Sequence, residues 1–218
     1  MMDAHEYAPD ELKTLIQFVV WRYEHRGGKP TKVPYTPGSS RRASHSDRKT
    51  WRSYRQAIQA LKTGKYVGIG YVFAEDDPYA GVDFDDVRGP ETGIIEPHAV
   101  EKLKRLDSYA EVSPSLSGVK VWVRAALPGG RARKKPGVEV YDRRRFFTAT
   151  GAFLPFVSLG IEDRQNELNA LLAEEFPDSE AAEQRAPRSY TGQIGDRVDL
   201  PAFLEIAGVV ILGEAADG

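Results

Sequence analysis

Short runs with strand periodicity, interleaved with amphipathic helical stretches, constrain this chain more than any other feature. Residues 119–123 (VKVWV) and Val138–Tyr141 (VEVY) alternate residue by residue, the period of a strand with one face in a core. Residues 66–73 and 79–85 read as two more strands around the turn residues 75–78, and 146–153 continues the sheet. Pro97 suits the first turn of a helix that packs Ala99, Val100, Leu103 and Leu106 inward. An earlier helix, N-capped by Ser46 or Asp47, sets Trp51, Tyr54, Ile58 and Leu61 on one face until Gly64. Residues 29–35 (KPTKVPY) read as an irregular loop or hairpin after the apolar run 18–21 (FVVW), and 162–176 is a third helical pattern. The interleaving predicts an α/β or α+β sandwich around one sheet or two. Its expected divisions are a main domain over 1–156, a helix over 157–176, a linker over 177–192 and the start of a helical accessory region over 193–218.

Composition removes several chemistries. The chain has no cysteine, which excludes disulfide scaffolds, thiol catalysis and thiolate zinc sites. Four histidines, at 5, 25, 45 and 98, are too scattered for a histidine-rich metal site. No apolar stretch approaches the ~20 residues of a membrane helix, and the acidic start is unlike a signal peptide, so a cytoplasmic location and no membrane partner are expected. The net charge of −2 conceals a split. Residues 157–218 hold thirteen acidic and four basic residues, whereas 1–156 hold 26 basic and 19 acidic ones. A basic body beside an acidic tail suggests a polyanionic partner.

The residues able to do chemistry centre on Val82-Asp83-Phe84-Asp85. Strand alternation sends Val82 and Phe84 to the core and projects Asp83 and Asp85 together on the other side. Two such carboxylates can hold a pair of hard cations, magnesium or manganese, although an acidic strand end facing water has the same sequence. Glu139 in VEVY also points away from the core, a natural third ligand if its strand lies beside that of Asp83. Residues 113–118 (SPSLSG) can form a turn whose N–H groups and hydroxyls accept phosphate oxygens, with Ser115, Ser117 and Gly118 in it and Lys120 following. Around these lie Lys29, Lys32, Arg41 and Arg42 with aromatic Tyr35 and Trp51, and Arg133, Lys134 and Arg143 bracketing Glu139. Cations with aromatic platforms suit single-stranded nucleic acid. Together the set points to nucleotidyl transfer. A non-catalytic single-strand-binding module and a metal-dependent nuclease are the alternatives.

In ordered combination these segments resemble the primase-polymerase branch of the archaeo-eukaryotic primase superfamily, in its phage and plasmid forms. The likeness runs over residues 15–156 through KPTKVPYTP, YVGIGYVF, AGVDFD, SYAEVSPSLSGVK, VE and RFFTATG. The resemblance implies an N-terminal α/β unit beside an RRM-like unit, with the active site between them. It implies that Asp83, Asp85 and Glu139 ligate two Mg2+ or Mn2+ ions and catalyse, and that Ser117, Lys120 and Arg145 contact the phosphates of a dNTP or NTP. It further implies a single-stranded DNA template and primer as partners, and a helicase or helical priming module in longer relatives. Lys120 stands where the family most often has histidine.

Overall fold

The computed structural model describes residues 8–177. The expected linker beyond residue 177 and the expected helical accessory region over 193–218 lie outside them. The chain divides into a unit running to Glu180 and a second unit beginning at Ala181. Thirteen elements form the first: α1 (Asp10–Lys13), β1 (Phe18–Arg26), β2 (Lys29–Tyr35), α2 (Tyr54–Leu61), β3 (Gly68–Phe73), β4 (Tyr79–Phe84), α3 (Pro97–Leu106), β5 (Ala110–Val112), β6 (Val119–Arg124), β7 (Arg133–Lys135), β8 (Val138–Tyr141), β9 (Arg145–Ala149) and α4 (Gln165–Glu175). The strands make two sheets, ordered β2-β1-β3-β9 and β5-β6-β4-β8-β7. Every ladder is antiparallel, so the class is α+β.

In the first sheet, KPTKVPY is a regular strand rather than an irregular loop. It tolerates Pro30 and Pro34 because β2 is an edge strand, where a missing N–H costs no ladder bond. Gly27 and Gly28, both at positive φ, close a two-residue turn to β1. The β1–β2 ladder runs from Val20↔Tyr35 to Arg26↔Lys29, whereas the β1–β3 ladder stops at Trp21↔Gly68. The helix after β2 also starts later than its sequence pattern implies. Asp47 caps only a single 3-10 turn, Arg48–Thr50. Backbone bonds between Phe18 and Arg52 then hold the chain extended. Ser53 opens α2 with a full capping box to Gln56. Trp51 is therefore off the helix and packs with Val19, Val72 and Ala74 on the opposite face of the sheet.

The second sheet buries two unlike faces. One face carries Val82 and Phe84 of β4, Val119, Val121 and Val123 of β6 and Val140 of β8 against leucines of α3 and α4. The other face sets Tyr79, Trp122 and Tyr141 against Tyr71, Phe73 and Phe147 of the first sheet. Gly81 permits that approach, since a Cβ there would overlap the Phe147 and Phe73 rings. The aromatic seam fills only part of the space between the sheets. One pleat period further along the same face, the side chains become charged.

Candidate active site

Five strands contribute one charged residue each to a single row. Glu111 of β5 lies opposite Lys120 of β6, Lys120 opposite Asp83 of β4, Asp83 opposite Glu139 of β8, and Glu139 opposite Lys134 of β7. Antiparallel register thus brings Asp83 and Glu139 side by side on neighbouring strands, the condition under which Glu139 joins the aspartates. Asp85 follows just past the end of β4, where its N–H donates to the Gly137 carbonyl at 3.0 Å. Asp83, Asp85, Lys120, Glu139 and Arg145 all line one cleft of about 520 Å3 between the two sheets.

The cleft is densely charged. Lys120 Nζ donates to Asp83 Oδ2 and sits 4.6 Å from the centre of the Phe147 ring. Both partners are nearly sealed from solvent, Asp83 at 5% exposure and Lys120 at 6%. Glu139 Oε2 accepts from the Tyr141 hydroxyl and, at 3.2 Å, from Arg145. Partial burial, and then the charge of Asp83, raises the Asp85 carboxyl. Lys32, placed by sequence among the nucleic-acid contacts, reaches this same cleft. Burial lowers its pKa, and Lys120 lowers it further, against the pull of Asp83 and Asp85.

The serine turn is built as a hydroxyl chain. Ser113 Oγ lies 2.8 Å from Ser115 Oγ, which lies 3.1 Å from Ser117 Oγ, and the Gly118 N–H donates to Ser113 Oγ at 3.2 Å. Only glycine fits at 118, because a Cβ would stand 2.7 Å from the Phe84 carbonyl oxygen. Ser113 and Ser115 face the cleft beside Lys120. The remaining cations distribute unevenly. Lys29 is exposed at the tip of the β1–β2 hairpin and Arg41 is exposed after β2. Arg42 pairs with Glu24 at 2.6 Å, and Arg143 pairs with Asp142 at 2.9 Å. Lys134 stands over the Tyr141 ring at 5.0 Å. Arg133 is buried, donating to the carbonyls of Arg131 and Pro128.

Glu111, fully buried, was not singled out by sequence. Its oxygens accept from the N–H groups of Thr150 and Gly151 and from the Tyr109 hydroxyl. It lies within the SYAEVSPSLSGVK segment, but its strand is only three residues long, too short for alternation to mark it. Phe146 and Thr148, both inside the RFFTATG segment but given no role from it, also line the cleft, as does His45, which no motif marks.

Hard carboxylate oxygens suit a divalent cation, and Asp83 Oδ1 is buried with no hydrogen-bond partner, so the donors fit such an ion. Among the described residues no three acidic or histidine side chains stand together as a ready cation cage. Ammonium and guanidinium groups hold the carboxylates instead. No helix among the described residues is long and apolar enough to cross a membrane.

No family model matches the sequence. Over 181 residues the chain is 30% identical to a DNA primase-polymerase of Nitratiruptor phage NrS-1, a match that covers 81% of this chain and 24% of that protein. The chain thus spans about a quarter of the length of the curated relative it matches. That likeness, with an α+β fold built on two antiparallel sheets that agrees with it, makes the chain a homologue of the quarter of that phage primase-polymerase which it matches.

Proposed function

We propose that the protein is a nucleotidyltransferase that extends a DNA primer on a single-stranded template from nucleoside triphosphates, with primer synthesis as a further activity. The observation that carries this reading is the register Lys120↔Asp83↔Glu139 on three adjacent strands facing one cleft. Asp83, Asp85 and Glu139 supply oxygen ligands of the type magnesium and manganese prefer. These residues would hold two such ions, which would supply activation of a 3′-hydroxyl and charge neutralisation at the transferred phosphoryl group. Lys120, Arg145 and the hydroxyls of Ser115 and Ser117, on the turn that Gly118 closes, hold the triphosphate, lysine as a point charge and arginine as a planar fork. Lys32 belongs to this cleft, while Lys29, Arg41 and Lys134 meet the DNA backbone. A helicase or helical priming module is the further partner this reading allows.

Asp83→Ala and Glu139→Ala should each abolish extension of a primed template with magnesium or manganese while the variants stay folded by circular dichroism. Wild-type extension rates in folded Asp83→Ala would refute the assignment. The ion pair between Lys120 and Asp83 favours one second reading, a single-strand-binding module that takes up no metal. Calorimetric titration of manganese in the presence of nucleotide separates the two, since only the transferase binds the ion.

A further inference from the structure

Among the described residues, four buried side-chain polar atoms have no hydrogen-bond partner: His45 Nε2, Asp83 Oδ1, Trp122 Nε1 and Thr148 Oγ1. Such atoms are rare because each forfeits its hydration without return. Trp122 lies in the aromatic seam between the sheets. The other three residues line the one cleft that holds the carboxylates. That convergence is hard to reconcile with random packing faults and is the expected mark of a surface shaped to meet a polar ligand.

The cleft is also divided in chemistry. The second sheet and its serine turn bring Ser113, Ser115, Lys120 and Asp83, partners for phosphate and its counter-ions. The first sheet and the loop after β2 bring Phe146, Thr148 and His45, with the His45 ring stacked on Phe146 at 5.7 Å and 28°. An aromatic wall with a hydroxyl and an imidazole suits a nucleoside, which offers a flat ring face and a few donors and acceptors. Thr148 carries a telling choice of residue. It is 3% exposed and next to last in β9, where valine would fill the same space and leave no hydroxyl unpaired. Burial, and then the Arg145 charge, lowers the His45 pKa, so the neutral imidazole offers one donor and one acceptor.

We infer that Thr148 and His45 recognise the nucleoside half of the incoming nucleoside triphosphate, opposite the end that holds its phosphates. The assignment rests on the nucleotidyl-transfer reading above and sets which residues discriminate among nucleotides. Thr148→Val and His45→Phe remove the polar atoms while keeping shape and ring stacking. Both should leave the melting temperature of the full chain unchanged or higher, because each removes an unpaired buried group. Each should weaken calorimetric binding of a deoxynucleoside triphosphate with manganese about 5- to 10-fold, the loss of one ligand hydrogen bond. Binding of inorganic tripolyphosphate, which has no nucleoside, should not change. The inference is overturned if nucleotide affinity holds, if nucleotide and tripolyphosphate weaken alike, or if melting temperatures drop by several degrees. Should the wild-type chain bind neither ligand, the nucleotidyl-transfer reading falls first and this inference with it.

Discussion

Asp83 and Glu139 face each other directly across an antiparallel ladder, a placement that sets like charges in opposition and destabilises the pair. Lys120 and Arg145 offset that repulsion from either side. Two opposed carboxylates held by basic side chains suit exchange of those cations for a metal ion. At the end of the same row Glu111 is in a different position. Burial raises its carboxyl to about 7, against the pull of the Thr150 N–H, the Tyr109 hydroxyl, the Gly151 N–H and the Lys120 charge. A raised carboxyl means that the folded chain binds more protons than the unfolded chain between about pH 4.5 and 7, so stability falls as pH rises through that window. Glu111→Gln should flatten the stability curve by about 2 kcal/mol between pH 5 and 7, read from urea melts at those two values. An unchanged slope would mean that Glu111 is ionised in the fold. Lys120 and Tyr109 are its facing titratable neighbours and are unaltered in the variant.

At the scale of elements, the crossing from β3 to β4 matters most, because it carries the chain from one sheet to the other just before Asp83. Asp77 pins that turn. Its carboxylate accepts from Gln17 at 2.6 Å, from Tyr71 at 2.8 Å and from the N–H groups of Ala74 and Tyr79 at 3.0 and 3.1 Å. Asp77→Ala strands those buried donors and should cost about 3 kcal/mol in chemical denaturation, more than the loss of an exposed cap such as Ser53. Element reading from sequence succeeded where alternation was long enough. VKVWV and VEVY gave both their strands and the face on which Lys120 and Glu139 lie, and AGVDFD gave Asp83 its side. Neighbourhood was not legible, since periodicity tells which way a side chain points but not which strand lies alongside. The α2 start was misplaced because Asp47 and Ser53 are both good caps, and only the Phe18–Arg52 bridge decides between them. Glu111 and Thr148 sit inside motif segments yet had no role legible there, and His45 had no motif at all: a three-residue strand, one hydroxyl among apolar strand residues and a loop carry no period.

Across the described residues as a whole, the cations read as nucleic-acid contacts differ in what already holds them. Several arginines among them already have partners, Arg42 and Arg143 in ion pairs with Glu24 and Asp142 that solvent still reaches, and Arg133 buried on loop carbonyls. Lys29 and Lys134 are better placed to meet a phosphate backbone, one at the hairpin tip and one at the sheet edge. Each lysine-to-alanine change there should lower the slope of log affinity against log salt for a single-stranded oligonucleotide by about 0.7, measured by fluorescence anisotropy. Arg143→Ala should lower it less.

The hairpin of β1 and β2 outruns the rest of its sheet, since β1 pairs with β3 only as far as Trp21 but with β2 as far as Arg26. Beyond that point the ribbon is a cantilever two strands wide, clamped at one end and loaded with arginine and lysine at the other. The overhang is also a wall of the cleft, since Lys32 on it reaches the carboxylates, so a flex at Trp21 and Arg22 would shift Lys32 a little and Lys29 at the tip much further.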